Sequence, residues 1–509
     1  MIEMVFNSIL WPDKKAESLF DSDPDFFADL NLDMIIDGIT SGYTDYNLRP
    51  FFITMPRSLD TVKYRQEIFK DLLNSEVFAL MKDFSEKMNT IYKWVSTADR
   101  LGGYQKQGWL LEAALFYFNT MADFSLKLDN LDFKSQGLLM LREYLRELVH
   151  TDAFIVASRE ANTVKSLLSA IRYEMLIESS KVTIRRDKGK DDYNEIVKKL
   201  FDKFTNRNAT SKSLKRFYET SMNQVEAAVL ELIARLFPEE FKALSSFYEN
   251  HKNFIDPTTA QMYRELQFYL SYIEYISPLE KTGLKFCIPE VGTVRDIYCI
   301  ECFDLALAQR LLQSGSVVIA NDFRLSRNEN IIVVTGPNSG GKTTFARSIG
   351  QVFFLAMLGL PIPGSKAKLF QVDNIYTHFE KSEDLENLRG KLEDDLIRMR
   401  KILDSATERS LIIINEMLSS TASKDAISIG TKIIDLINKK NSICVYVTFF
   451  EELARIRGVI SMVSQVDPIA PEIRTFRVVR SDPNGLAYAT AIAERYGLTY
   501  KKIIERVRK

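Results

Sequence analysis

A glycine-rich loop between an apolar run and a helical pattern is the feature that most constrains how this chain can fold. Residues 331–334 form an apolar run with the length of a buried strand. The next motif, GPNSGGKT at residues 336–343, matches the pattern G-x-x-x-x-G-K-[ST]. Apolar residues at helical spacing follow it. A strand, a loop and a helix in this order predict a phosphate-binding loop, with a chance glycine-rich turn as the alternative.

The residue types of this loop suit the phosphates of a nucleotide. Gly340 and Gly341 allow backbone N–H groups to close around phosphate oxygens, and the helix N-terminus adds a partial positive charge. Lys342 is expected to reach the β- and γ-phosphates, and the Thr343 hydroxyl is expected to ligate Mg²⁺. The predicted cofactors are therefore ATP and Mg²⁺. The candidate nucleotide-binding residues of the loop are Gly336, Pro337, Asn338, Ser339, Gly340, Gly341, Lys342, Thr343 and Thr344.

A second apolar run, at residues 411–414, ends in Asn415 and Glu416. Nucleotide hydrolases usually carry Asp and then Glu at such a strand end. Glu416 is the predicted catalytic residue, because its carboxylate can orient and polarise the attacking water as a general base. Asn415 supplies no negative charge, but its side-chain oxygen can accept a hydrogen bond from a Mg²⁺-bound water. Thr343, Asn415 and Glu416 are the predicted residues of the magnesium site.

The pattern of residues divides the chain into two parts. A chain of 509 residues is too long to fold around one hydrophobic core. Two to four domains of roughly 100–200 residues are therefore expected. Residues 1–283 repeat apolar side chains at helical spacing, with few Gly and Pro. From residue 284, short β-rich runs alternate with helical segments. The predicted fold class is α plus α/β: an all-helical domain at 1–283, then a phosphate-loop domain at 284–509 with a β-sheet flanked by helices.

Charge is concentrated in one stretch of an otherwise neutral chain. The net charge is −1, so no global field attracts nucleic acid, and any DNA contact needs a local basic patch. Residues 181–216 contain 12 Lys or Arg against 5 Asp or Glu. This excess indicates either a solvated helix face or a tip that contacts DNA phosphates. Arg185, Arg186 and Lys188 are the candidate DNA-binding residues.

The remaining composition favours a cytoplasmic protein. Four cysteines are too few for a disulfide scaffold and fit a reducing compartment. Cys299 and Cys302 form one C-x-x-C pair without a second pair at zinc-site spacing, so apolar packing is the preferred interpretation. The N-terminus lacks a basic leader, and no apolar run reaches the roughly 20 residues of a membrane span. No membrane association is expected.

Several segments, in order along the chain, resemble the MutS family of DNA mismatch-repair ATPases. They are IANDF ahead of the loop, TGPNSGGKTTFARSIG at the loop, LAMLGLPIPGSKAKL after it, INEMLSSTASKDA at the second strand and the closing FRVVRSDPNGLAYATAIAERYGLTYKKIIERV. The resemblance is strong from about residue 285 to 509 and weaker upstream. There LDMIIDGIT and RQEIFKDLL resemble the helical core domain, and DYNEIVKKLFDKF resembles the lever domain.

The resemblance implies a dimeric ATPase with its sites at the subunit interface and with double-stranded or branched DNA held by lever arms. Ser423 would match the serine offered to the partner's γ-phosphate, and Asp425 would match the acid after it. Asn338 would match the loop asparagine near the phosphates. The sequence identifies no partner protein.

The chain also departs from the family pattern. Asn415 replaces the first acid, Phe449 stands at the position of a switch histidine, and Asp395 stands in place of a glutamate. Leu418-Ser419-Ser420 replaces a G-R-G segment. No mismatch-reading domain with its F-x-E wedge and no connector domain are recognised.

Two functions remain open. The first is a MutS-like, DNA-binding ATPase with slow hydrolysis at a dimer interface and a role in DNA repair or recombination. The alternative is a nucleotide-gated interaction protein that binds ATP with little or no hydrolysis, motivated by Asn415 and Phe449. An ABC-type or chromosome-structuring ATPase would need a sustained heptad seam, which is not seen. A phosphate-loop kinase would need an acceptor pocket and lid, which no motif marks.

Overall fold

The computed structural model describes most of the chain. The described residues are 6–13, 18–178, 181–187, 224–380, 390–418, 421–467, 473–483, 496 and 498–507. Contacts group the chain into two compact units, the first of Met1–Phe6, Glu76–Asp132 and Leu139–Tyr263, and the second of Asn7–Ser75, Phe133–Leu138 and Arg264–Lys509. These units interleave along the chain, and the division at residue 283 stays a prediction.

Helices and strands are numbered here in chain order within the described residues. The helices are α1 (Leu32–Thr40), α2 (Arg49–Ile53), α3 (Leu59–Leu72), α4 (Ser75–Asp99), α5 (Gly103–Asp129), α6 (Gln136–His150), α7 (Asp152–Ser169), α8 (Gln224–Leu236), α9 (Pro238–His251), α10 (Pro257–Glu280), α11 (Leu305–Ser314), α12 (Lys342–Met357), α13 (Lys391–Ser405), α14 (Ser423–Lys440), α15 (Glu451–Ala454) and α16 (Tyr500–Val507), with a 3-10 turn at Thr44–Tyr46. The strands are β1 (Tyr173–Glu178), β2 (Lys181–Arg186), β3 (Phe286–Cys287), β4 (Glu290–Gly292), β5 (Ile297–Cys302), β6 (Asn321–Leu325), β7 (Ile331–Thr335), β8 (Ile362–Pro363), β9 (Lys366–Phe370), β10 (Ile375–Phe379), β11 (Leu411–Asn415), β12 (Ile443–Val447), β13 (Val459–Val466) and β14 (Arg474–Arg480).

The first unit is a packed set of long helices. Apolar side chains at helical spacing on α4 and α5 are buried, as the sequence pattern predicts. The rings of Phe84 and Phe124 stack across these two helices with centroids 4.0 Å apart. At the start of α7, the Thr151 side chain accepts a hydrogen bond from the N–H of Phe154, which caps the helix. Aromatic stripes therefore serve as core packing here.

A β-hairpin corrects the prediction of an all-helical first part. Strands β1 and β2 pair antiparallel from Tyr173 opposite Arg186 to Glu178 opposite Lys181. Their sequences, YEMLIE and KVTIRR, are rich in β-branched and aromatic residues, which favour strands over helices. The helical periodicity of the surrounding chain masked these two short runs. The basic stretch therefore begins in a strand instead of on a helix face.

The second unit contains the sheet that the sequence predicts. Six strands lie in the order β10-β11-β12-β7-β13-β14. The first five are mutually parallel, and β14 runs antiparallel to β13. Strands β7, β11 and β12 are buried along their whole length, because both faces of the sheet are covered. A four-stranded sheet, β4-β9-β5-β6, and the pair β3-β8 complete the unit.

The helix after the loop, α12, is almost entirely buried and packs closely on the sheet. A Cβ added at Gly350 would lie 2.7 Å from the side chains of both Ile413 and Leu30, so only glycine fits this approach. The side-chain amide of Gln351 donates to the Leu30 carbonyl at 2.9 Å. Residues from the N-terminal part of the chain thus belong to the same compact unit as the sheet.

None of the described helices is long and apolar enough to cross a membrane.

Candidate nucleotide-binding site

The glycine-rich loop connects β7 to α12 in the conformation that its glycines permit. Gly336 has a φ of 127° and Gly341 a φ of 88°, values that side chains other than glycine rarely adopt. A Cβ at Gly340 would lie 2.4 Å from Oγ of Ser464 on β13, so this glycine is required by close approach. The Ser464 hydroxyl donates to the Gly340 carbonyl at 2.5 Å. Strand β13 therefore supports the loop through the side chain of Ser464.

Lys342 lies at the start of α12, with its ammonium folded against the loop. The side chain is 3% exposed, and Nζ donates to the carbonyls of Gly336 at 3.1 Å and Pro337 at 3.0 Å. Nζ also lies 3.9 Å from Oε1 of Glu416 and 4.4 Å from the ring centroid of Phe449. Burial lowers the pKa of Lys342; the charge of Glu416 opposes this shift and that of Arg474 adds to it.

Thr343 and Asn415 meet directly, as their predicted shared role requires. The Thr343 hydroxyl donates to Oδ1 of Asn415 at 2.9 Å. Asn415 ends the buried strand β11, and Thr343 lies in the first turn of α12. Both side chains offer oxygen atoms, the ligand type that Mg²⁺ prefers. This pair fits a magnesium site, although the amide cannot contribute the charge of a carboxylate.

Glu416 follows β11 in a left-handed turn that directs it toward the loop. Its φ is 54°, and its backbone N–H donates to the Val447 carbonyl at 2.9 Å. Such a conformation in a residue other than glycine is costly and is commonly found at functional sites. Burial raises the pKa of the Glu416 carboxyl above its ordinary value; Lys342 opposes this rise and Glu380 adds to it.

A cavity of about 560 Å³ opens over the loop. Its polar lining includes the loop residues from Ser339 to Thr344 and Glu416. Its apolar lining includes Phe303, Leu307, Leu311, Ile319 and Phe476. A cavity lined by both polar and apolar side chains suits a ligand that combines phosphates with a planar ring. Gly336, Pro337 and Asn338 belong to the loop but do not line this cavity.

Ser423 and Asp425 lie apart from the loop. Both are exposed in the first turn of α14, and neither lines the cavity. Their predicted role requires a second chain, so their position here does not test it.

Asp395 lies close to the buried His378. Its Oδ1 is 3.4 Å from Nε2 of this histidine, whose side chain is 1% exposed.

Two of the three candidate DNA-binding residues, Arg185 and Arg186, lie in the first unit on strand β2. Arg185 is exposed. Arg186 has a structural contact, because its Nε donates to the Leu236 carbonyl at 3.0 Å and its guanidinium lies 4.8 Å from the Phe237 ring centroid. Lys188 and most of the 181–216 stretch lie outside the described residues.

The four cysteines are free thiols. Cys299, Cys302 and Cys444 are buried, and Cys287 is partly buried. Among the residues that the structure describes, no group of three or more His, Cys, Asp or Glu is placed to hold a metal ion.

Three residues of the site were missed by sequence reasoning: Ser464, Arg474 and Phe476. Ser464 supports the loop, and Nε of Arg474 donates to the Asn338 carbonyl at 3.2 Å. Phe476 lines the cavity. All three lie more than 100 residues beyond the loop in sequence. The available signals were the two serines inside the apolar strand β13 and the family-like closing segment that begins at Phe476, and neither indicates a contact with the loop.

The chain is similar to known proteins of one family. The family profile of MutS domain V matches residues 332–508. The chain is 28% identical to a DNA mismatch repair protein MutS of Clostridium perfringens over 273 residues, which is 52% of this chain and 29% of that protein. It is 25% identical to MutS of Clostridium botulinum over 302 residues, 57% of this chain and 32% of that protein. It is 24% identical to MutS of Chlorobium phaeobacteroides over 357 residues, 68% of this chain and 40% of that protein.

These matches cover between 29% and 40% of the length of the three relatives. The profile includes strands β7, β11, β12, β13 and β14, which carry or support the loop, Asn415 and Glu416. The family profile and the relatives agree: residues 332–508 match the profile of MutS domain V, and the chain is a MutS-like protein.

Proposed function

We propose that this chain binds ATP with Mg²⁺ at the loop and hydrolyses it slowly. The observation that carries the proposal is the hydrogen bond of 2.9 Å between Thr343 and Asn415, with Glu416 nearby in the same cavity. It supports the proposal, because Thr343 and Asn415 are predicted to hold Mg²⁺ and Glu416 is the predicted general base. The MutS relatives support a setting in DNA repair, which we extend to this chain as part of the proposal.

The lining of the cavity suggests how the nucleotide binds. The triphosphate is proposed to lie over Gly340 and Gly341, where backbone N–H groups at the start of α12 favour negative charge. Lys342 binds the β- and γ-phosphates by moving away from the carbonyls that it now contacts. The base is proposed to pack against apolar side chains of the lining, such as Phe303 and Phe476. Mg²⁺, held near Thr343 and Asn415, would neutralise charge on the phosphate oxygens.

Hydrolysis is assigned to Glu416. Its carboxylate would orient the attacking water and accept a proton from it, which general bases do most effectively when their pKa approaches the working pH. The raised pKa of this carboxyl supports that role. Asn415 would orient a Mg²⁺-bound water through its amide oxygen, with a weaker hydrogen bond than an aspartate makes.

The second candidate is a nucleotide-gated binder with little or no turnover. The observation in its favour is the arrangement around Lys342, where Glu416 and Phe449 both contact the ammonium. If Glu416 remains paired with Lys342 when ATP is bound, it is not available to orient water. Binding of ATP is common to both candidates. Saturable, Mg²⁺-stimulated binding of a fluorescent ATP analogue is expected, and its absence would contradict both.

The pH dependence of hydrolysis tests the role of Glu416. A raised pKa means that the base is protonated, and the rate lost, at a higher pH than for an ordinary glutamate of pKa about 4.3. Single-turnover rates should therefore fall as pH falls, with a midpoint above that value. Glu380→Gln should move the midpoint to lower pH, because it removes a neighbouring acid that raises this pKa. A rate that stays level down to about pH 4 would remove Glu416 from the mechanism.

We also propose a homodimer with ATP at the interface. Ser423 is exposed at the start of α14, where its hydroxyl could reach a partner's phosphate. ATP should shift sedimentation toward the dimer, and Ser423→Ala should reduce this shift. Analytical ultracentrifugation that finds a monomer with and without ATP would exclude this arrangement.

Binding of double-stranded or branched DNA is proposed to be electrostatic. Arg185→Glu is a cleaner test than a change at Arg186, which packs on Phe237. The charge reversal should weaken binding to duplex, mismatched, branched and single-stranded DNA to similar degrees. The slope of the logarithm of the affinity against the logarithm of the salt concentration should become shallower, by the amount expected for about one lost phosphate contact. Unchanged affinity for every form would place the DNA site elsewhere.

The proposed compartment is the cytoplasm.

A further inference from the structure

Strand β14 begins beside the phosphate loop at an irregular point of the sheet. Val466 on β13 pairs with Arg474 and Ser464 pairs with Val478, with a register shift between them. Phe476, within the shifted segment, has a φ of 56°. Bulges of this kind re-aim side chains and are over-represented beside active sites. The irregularity therefore changes the directions in which the side chains of Arg474 and Phe476 point.

Both side chains meet the loop. Arg474 Nε donates to the carbonyl of Asn338 at 3.2 Å. Phe476 lies against Gly341, with Cδ1 3.5 Å from the position that a Cβ of this glycine would occupy. The conformation is held from the neighbouring sheet, because Asn321 donates to the Phe476 carbonyl at 3.1 Å and accepts from the Val478 N–H at 2.7 Å. The bulge thus presents one cation and one ring to the loop.

Two cations consequently approach one short loop. The Lys342 ammonium lies inside it and the Arg474 guanidinium lies at its Asn338 side. The positive charge of Arg474 contributes to the lowering of the Lys342 pKa, and Glu416, 3.9 Å from Lys342, opposes that shift. A polyanion bound at the loop would interact favourably with both cations.

We propose that Arg474 binds the terminal phosphate of the nucleotide from within the same chain, as a second cation beside Lys342. The inference rests on the proposed function and adds a phosphate-binding residue to it. A guanidinium is planar and always charged, and it can bind phosphate oxygens through two parallel N–H groups. The contact between Nε and Asn338 fixes the plane of this group relative to the loop. Arg474 then discriminates ATP from ADP, because only ATP carries the phosphate that it contacts.

The test compares nucleotide affinities of the full chain with Mg²⁺, using fluorescent ATP and ADP analogues. Arg474→Ala should weaken ATP binding by about 10- to 100-fold, the effect of one charge-assisted hydrogen-bonding group, and ADP binding by less than about 3-fold. Arg474→Lys should recover part of the ATP affinity, because it keeps the charge without the fork. Arg477→Ala is the matched control, since Arg477 is an exposed arginine of the same strand that lines a different cavity, together with Arg324 and Lys366. It should change neither affinity.

The ratio of the two affinities separates the outcomes. Equal loss of ATP and ADP in Arg474→Ala would mean that the arginine only supports the loop, and it would overturn the inference. An unchanged ATP affinity would overturn it as well. Retained ADP binding shows that the variant is folded. If the wild-type chain binds neither nucleotide, the proposed function itself fails; if it binds both and the ratio is unaffected by Arg474→Ala, only the inference fails.

Discussion

Lys342→Ala is expected to remove most of the ATP affinity of this protein while the fold stays intact. The ammonium would bind two phosphates, and each charge-assisted hydrogen bond is worth about 1.5–3 kcal/mol. The loss should therefore be on the order of 10²- to 10⁴-fold in Kd. The fold should survive, because Lys342 donates to backbone carbonyls of the loop rather than to the core of the sheet. Titration with a fluorescent ATP analogue measures the effect.

Two further variants control for packing and for general loss of charge. Lys342→Met keeps the aliphatic stem but not the charge, and it should lose as much affinity as the alanine variant. Lys285→Ala removes a lysine of the same compact unit that pairs with Glu301 and does not line the cavity. It should bind ATP like the wild type. If Lys342→Ala also binds ATP like the wild type, the loop is not the nucleotide site.

Glu416→Gln is expected to abolish most ATP hydrolysis and to spare ATP binding. General-base catalysis contributes roughly 10²–10⁴-fold to a rate, and the amide cannot accept the proton. Binding should persist or improve slightly, because the neutral side chain no longer pairs with Lys342 at 3.9 Å. Single-turnover hydrolysis and equilibrium binding should be measured on the same preparation. A variant that hydrolyses ATP at the wild-type rate would show that another group serves as the base.

Asn415→Asp should act in the opposite direction. The amide oxygen already accepts the Thr343 hydroxyl at 2.9 Å, so a carboxylate can keep this hydrogen bond and add a negative charge. A charge-assisted hydrogen bond exceeds a neutral one by about 1–2 kcal/mol. The rate should rise, or the Mg²⁺ requirement should fall, by roughly 5- to 30-fold. A Mg²⁺ titration of the hydrolysis rate distinguishes these two effects.

The parts of the site that lie close to a motif were predictable from the sequence. The strand, loop and helix around Lys342 follow from local residue types, and so does the strand that ends in Asn415 and Glu416. Parallel strands of one sheet end at the same edge, and β7 and β11 are separated only by β12, which explains why Thr343 and Asn415 meet although 72 residues separate them. Local pattern and strand topology together were sufficient here.

The remaining contacts depend on tertiary packing that no local pattern encodes. Ser464 reaches the loop because β13 lies beside β7. Arg474 reaches it because β14 pairs with β13 and is irregular near Phe476. The hairpin of β1 and β2 was missed because its two short runs lie among long helical patterns. The inclusion of residues 7–75 in the unit that holds the sheet rests on close approaches such as Leu30 to Gly350.

Single-turnover hydrolysis of ATP with and without Mg²⁺ tests the central claim most directly. The account predicts slow, Mg²⁺-dependent formation of ADP by the wild-type chain, none above background by Glu416→Gln, and a faster rate or a lower Mg²⁺ requirement for Asn415→Asp. The opposite result would be a wild-type chain that binds ATP without Mg²⁺-dependent hydrolysis above background and that Asn415→Asp does not rescue. That result would contradict the assignment of an ATPase and identify the protein as a nucleotide-gated binder.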